Sequence, residues 1–196
     1  MKSASVTAET SLQYDTDRPE EQAEFTHVFV EDAELTGHMK LRLWVETPTE
    51  KDMDLFVAIQ KYDRDGNYVP FTWYAMYEDG PVALGWLRAS HRALDEARTT
   101  DWQPVHTHTR EDPLQPGIPV AVDIEIWPSA TLFRIGEQLR VALKGRDLYD
   151  EAPETQPFLL HEDTRNRGRH IIRTGGCYDS YLLVPVIPPR PEADSP

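Results

Sequence analysis

Two histidines stand one residue apart in Val105-His106-Thr107-His108, and two aspartates one residue apart in Asp52-Met53-Asp54. In an extended chain that spacing puts both side chains on one face, so the histidines could share a transition metal and the aspartates a hard cation. Zinc wants three or four converging ligands. The third would have to come from His91, His161 or His170, and no spacing ties any of these to the pair. Calcium takes about six to eight oxygens, more than two aspartates at the start of a strand supply. Capping a turn or pairing with an arginine suits Asp52 and Asp54 better, and no metal site is assigned. Cys177 is the one cysteine, so no disulfide can close within the chain. With no thiolate-stabilising pattern around it, it reads as a small packed residue and not as a nucleophile. A serine on a strand-to-helix turn would appear as Gly-x-Ser-x-Gly, and that string does not occur. Phe71, Trp73, Tyr74 and Tyr77 could stack on a sugar if exposed on one concave face; the same rings serve a core or an interface equally well. No catalytic residue and no cofactor is assigned.

The elements that must carry these residues are strands. Between Pro119 and Leu143, Val120, Val122, Ile124 and Ile126 alternate with Ala121, Asp123 and Glu125, which places four apolar side chains on one face. Pro128 lacks the N–H needed to extend a ladder, so the spacing predicts that the strand ends there. A second alternation, Leu139, Val141 and Leu143, starts after Gly136. Met39, Leu41, Leu43 and Val45 alternate with Lys40, Arg42, Trp44 and Glu46, and Leu55, Val57 and Ile59 with Phe56, Ala58 and Gln60. Asp63-Arg64-Asp65-Gly66-Asn67 is a tight-turn signal. Phe25–Val30 and Ser180–Ile187 read as further strands. His91 to Ala97 reads as a short helical turn, and Arg88 and Ser90 are expected to point outward from the strand before it. No β–α–β alternation is present, so the expected class is all-β and antiparallel.

At 196 residues the chain suits one domain with a core large enough to need no staples. A formal charge of −14 disfavours nucleic acid and anionic membrane surfaces as partners. No stretch approaches the roughly twenty apolar residues of a membrane span, and no signal-peptide run is evident, so the expectation is a cytoplasmic protein. Homo-oligomerisation is open at this stage. Met1 to Glu24 is a polar lead-in without sustained periodicity, residues 25–188 form the expected β-sandwich, and 189–196, rich in proline and charge, form a disordered tail.

The string Ile124–Val141, IEIWPSATLFRIGEQLRV, resembles the C-terminal domain of the hydrolase family that includes X-prolyl dipeptidyl-peptidase and cocaine esterase (CocE/NonD). In that family a strand ends in a Pro-Ser/Thr-Ala corner and a Phe-x-x-Gly-x-x-Leu-Arg segment opens the next, here Pro128, Ser129, Ala130, Phe133, Gly136, Leu139 and Arg140. Three other stretches agree: Gly37, Leu41, Leu43 and Val45 leading to Asp52, Asp54, Leu55 and Val57; Gly85–Leu94, GWLRASHRAL; and the closing Tyr178–Pro188. The resemblance implies a jelly-roll β-sandwich similar to galactose-binding domains. It implies an accessory, non-catalytic domain, with the serine triad on a separate α/β-hydrolase domain that is the partner. Met1 then falls near a junction with that domain. The parent would hydrolyse an X-Pro peptide or an ester by serine acyl transfer, and this chain alone would not be an enzyme. The residues expected to face the catalytic domain are Phe71, Trp73, Tyr74, Tyr77, Arg165 and Arg167. The runner-up function is a carbohydrate-binding module built on the exposed aromatics.

Overall fold

Alternating apolar residues build two antiparallel sheets that bury their inner faces against each other. The computed structural model describes residues 8–73, 77–149 and 160–188, with the side chains of Trp73 and Tyr77 excluded. Tyr74 and the expected tail at 189–196 lie outside the described residues. In chain order the strands are β1 (Thr10–Asp15), β2 (Ala23–Val28), β3 (Ala33–Glu46), β4 (Asp54–Tyr62), β5 (Tyr68–Val69), β6 (Phe71–Trp73) and β7 (Tyr77–Gly80). They continue with β8 (Ala83–Arg88), β9 (Val120–Phe133), β10 (Gln138–Lys144), β11 (Arg169–Thr174), β12 (Tyr181–Leu183) and β13 (Val186–Ile187). Ala89–His91 forms a 3-10 turn, and no helix among the described residues is long and apolar enough to cross a membrane.

In the six-stranded sheet β3 is the axis. β9 pairs along one edge of it, and β11, β12 and β13 follow one another along the other, with β1 outside β11. The second sheet runs β2-β10-β4-β5, with β8 also on β4, and β6 and β7 form a separate hairpin. Leu41, Leu43, Val45, Val122, Ile124 and Ile126 of the first sheet meet Leu55, Val57, Ile59, Leu139, Val141 and Leu143 of the second in one core. Each such side chain contributes about 1.5–3 kcal/mol when fully buried. The architecture is all-β and antiparallel, consistent with a jelly-roll, galactose-binding-like sandwich.

Four local expectations change. The strand does not stop at Pro128: β9 continues to Phe133 and stays paired with β3. The register jumps between Met39↔Ile126 and Gly37↔Ser129, so Trp127 and Pro128 together oppose His38. A bulge leaves one residue outside the ladder, which is where a proline costs no hydrogen bond. Gly37 takes φ 135° opposite the bulge, a conformation open to glycine. Second, Thr10–Asp15, in the polar lead-in, is a strand on β11, with Tyr14 buried. Third, Phe56 and Ala58, on the side of β4 expected to face solvent, are buried. Ala58, Leu84 and Ala142 form a small outer cluster covered by Trp86 of β8 and by Leu148 of the connection after β10. Fourth, Cys177 is exposed. The Asp63–Asn67 turn is as expected, with Asp63 accepting from the backbone of Asp65 and Asn67. Trp44 is half-covered by the segment after β11: its indole N–H donates to Asp179 at 2.7 Å, and Tyr178 packs edge-on against it.

Two contacts between distant strands decide how the layers close. On β8, a Cβ added to Gly85 would lie 2.5 Å from both the Glu125 carbonyl oxygen and Ile126 Cδ1. The two sheets therefore touch along β8 and β9 only because that side chain is a hydrogen. On the opposite side, His170 Nδ1 lies 3.0 Å from the Tyr14 hydroxyl, which donates to the Lys144 carbonyl. Burial pushes the Tyr14 phenol above its ordinary range and the His170 imidazole down to about 4.

Gly85→Ala should cost about 1–3 kcal/mol, towards the upper end because one obstacle is backbone, and a urea titration reads it. His170 takes up a proton near pH 6.5 when unfolded and only near 4 when folded, so falling pH favours the unfolded chain. Stability should drop by about 2 kcal/mol between pH 7.5 and 5 on this account. The loss should begin below about pH 6.5 and level off below about 4, and His170→Gln should flatten that slope.

Candidate functional site

A cleft of about 550 Å³ opens on the outer side of the β8–β9 contact. Asp54–Phe56 of β4, Trp86–Arg88 of β8, and Glu125 and Trp127 of β9 line it together with His91, His106, His108 and the loop His161–Thr164. The side-chain parity of a strand explains much of this: Gly85 points into the core, so Trp86 must point out. Trp127, beside the bulge, is 41% exposed and meets Trp86 edge-to-face with ring centres 5.1 Å apart. His161 packs against both Trp86 and Phe56, at 5.7 and 5.4 Å. Asp147 holds that histidine through its backbone N–H and through Nδ1, at 2.6 and 3.0 Å.

Three histidines gather at the same cleft. The rings of His91 and His106 lie 5.6 and 5.9 Å from that of His108. His106 Nε2 is 3.0 Å from the Asp123 carbonyl, and burial lowers the His106 pKa from its ordinary value. His91 Nε2 sits 3.7 Å from Glu111, while its Nδ1 is sealed from solvent without a hydrogen-bond partner. His108 has φ 50°, which is uncommon outside glycine. The segment carrying His106 and His108 is not the strand expected from sequence: it makes an isolated β-bridge, Leu94↔His106, outside the named strands. Of the possible third ligands, His91 comes close, His161 is engaged by Asp147, and His170 is buried elsewhere against Tyr14. Among the described residues no three acidic, histidine or cysteine side chains are placed to hold a metal ion.

Beneath the cleft the two aspartates work as a clamp. Asp52 Oδ1 accepts the N–H groups of Met53 and Ser90, and its Oδ2 accepts the Ser90 hydroxyl at 2.7 Å and Arg165 at 3.1 Å. Ser90 is thus buried, not turned outward. Asp54 accepts two bonds from the Arg88 guanidinium, at 2.7 and 3.2 Å, and the backbone N–H of Arg165 at 2.6 Å. Arg88 donates onward to the Asp163 carbonyl. Asn166 closes the join: its amide bonds the N–H and C=O of Asp54 and the carbonyl of Gly145. Glu111 grips Arg165 with both oxygens and, with the Asp52 charge, holds its pKa above the ordinary arginine value.

Of the six residues expected to face a partner, Tyr74 and the side chains of Trp73 and Tyr77 lie outside what the structure describes. Phe71 is partly buried, packed against the main core. Trp73 and Tyr77 pair through their backbones. Arg165 is exposed but held by ion pairs to Asp52 and Glu111, and Arg167 is exposed as well. The residues sequence reasoning missed are Phe56, Trp86 and Trp127, aromatics standing at outward positions of otherwise alternating strands.

Residues 2–183 match the family of the X-Pro dipeptidyl-peptidase C-terminal non-catalytic domain. The chain belongs to this family. As a PepX C-terminal domain it is non-catalytic. It is similar to a CocE/NonD family hydrolase from Staphylococcus aureus, with 42% identity and a TM-score of 0.88 over 94% of this chain and 34% of that one. Proteins of Mycobacterium bovis and Mycobacterium tuberculosis named as candidate serine esterases are 30% identical over 118 residues, 58% of this chain and 17% of theirs. An aminopeptidase from a marine sediment Thaumarchaeota archaeon shares the fold, with a TM-score of 0.59 at 13% identity. The domain thus spans about a third of the Staphylococcus hydrolase and a sixth of the mycobacterial proteins it matches.

Asp52→Asn keeps the shape but gives up two charge-assisted bonds. It should cost about 1–3 kcal/mol in chemical denaturation and speed proteolysis at the 160–168 loop that Arg165 anchors.

Proposed function

We propose that this domain packs on an α/β-hydrolase catalytic domain, stabilises it and walls its active-site region. The parent protein hydrolyses an X-Pro peptide bond or an ester by serine acyl transfer. The observation that supports this reading most is one of coverage. The match to the Staphylococcus hydrolase takes in 94% of this chain and leaves about two-thirds of that protein for other domains. The absence of any Gly-x-Ser-x-Gly string agrees with a nucleophile carried elsewhere. Arg167 and the β6–β7 hairpin are the contact residues we retain for that partner. We place the protein in the cytoplasm, where a single free, exposed cysteine would stay reduced.

The test compares the parent protein, its catalytic domain alone, and this chain alone, using an X-Pro p-nitroanilide and an aryl ester as substrates. This chain alone should turn over neither substrate. The catalytic domain without it should melt several degrees lower, the shift expected when about 1–2 kcal/mol of interface is lost. Turnover by the purified chain that survives repurification, or a catalytic domain indifferent to its removal, would overturn the reading.

A further inference from the structure

The cleft at the β8–β9 contact has a use that the accessory role does not require. Its volume of about 550 Å³ lies in the range of small-ligand sites, and its walls mix aromatic rings with acids. Trp86 and Trp127 supply the aromatic surface, Trp127 being 41% exposed, while Phe56 lies buried in the floor beneath His161. The charge is one-sided. Arg88, the one arginine or lysine on the cleft wall, is neutralised by Asp54. Glu125 accepts the Gln103 amide at 3.0 Å, and His38 Nδ1 lies 3.7 Å away, beyond hydrogen-bond reach. Among the described residues, Glu162 makes no ion pair, and neither does the Asp163 carboxylate. The remaining titratable groups facing the cleft are His91, His106, His108 and His161.

Aromatic faces attract cations through the ring quadrupole, and uncompensated carboxylates beside them supply directional acceptors. A guanidinium meets both demands, being planar enough to stack on an indole while donating two parallel bonds to one carboxylate. A neutral sugar would leave the three carboxylates unanswered, and an anion would be repelled. We propose that this cleft binds a guanidinium group in the corner where the indoles of Trp86 and Trp127 meet edge-to-face, with Glu125, Glu162 and Asp163 accepting from its edge. The ligand class is therefore an arginine side chain or an equivalent organic cation. The proposal stands on the geometry of this chain and does not depend on the parent's reaction.

The probe is N-acetyl-L-arginine amide, titrated against the full chain while the indole N–H signals of Trp86 and Trp127 are followed by NMR. N-acetyl-L-citrulline amide, nearly the same shape without the charge, is the control. The arginine probe should shift both indoles saturably, and the citrulline probe should bind at least about tenfold more weakly, the loss expected when a charge-assisted bond becomes neutral. Trp127→Ala removes a ring that is 41% exposed and Glu162→Gln/Asp163→Asn removes two loop charges; each should weaken binding, and the loop variant should leave the thermal melt near that of the unaltered chain. Citrulline binding as tightly as arginine, indoles that never shift saturably, or folded variants that bind like the unaltered chain would overturn the proposal.

Discussion

Asp52 and Asp54 are taken out of water at the point where the chain enters β4, and the working end of the sandwich depends on their being satisfied there. A carboxylate so placed costs several kcal/mol unless its lone pairs are filled. Here the partners come from two places far from the aspartates in sequence: Arg88 and Ser90 at the end of β8, and Arg165 in the connection before β11. The end of β8 is also held by its ladder with β4 and by the buried Leu87 and Ala89, whereas the Arg165 loop is drawn in by the two buried charges, and the cleft lies over the join.

The closure of the sheets sets the rest of that geometry. With Gly85 in the core position, β8 can lie against β9 without an intervening side chain, and the next residue on each strand face is forced to solvent. Trp86 and Trp127 consequently stand together on the outside of a contact whose inside is sealed. The bulge at Trp127 and Pro128 adjoins the second indole, where the strand bends locally. A rigid floor and two fixed rings are what a recognition surface needs, since little ordering remains to be done when a ligand arrives.

How much of this was legible beforehand varied with the kind of signal. The alternations of β3, β4, β9 and β10 report burial on one face directly, and those strands stand where the period puts them. Thr10–Asp15 was illegible because four of its six residues are exposed and only Tyr14 is fully buried. Pro128 misled because a proline excludes a ladder donor but does not exclude a bulge, and the partner strand that makes the bulge lies ninety residues away. The double burial of Phe56 and Ala58 depends on a cover from the connection after β10, which periodicity in β4 cannot register. At the site, pairing with arginine was readable from the chemistry of Asp52 and Asp54, but the choice of Arg88 and Arg165 was not. Trp86 and Trp127 carried a usable signal, a large ring out of phase with its strand, that marks them only once the two strands are known to touch.

The tie between Tyr14 and His170 spans 156 positions of the chain, so the six-stranded sheet cannot be completed until nearly the last strand exists. On a ribosome adding about 5–20 residues per second, β1 waits on the order of 8–30 s for its partner. Throughout that interval the edge of β1 is an unpaired template carrying exposed backbone donors and acceptors. The threonine, serine and glutamine that make this strand so hard to read as β are then also its protection, because a polar edge left waiting gives neighbouring nascent chains little apolar surface to seize.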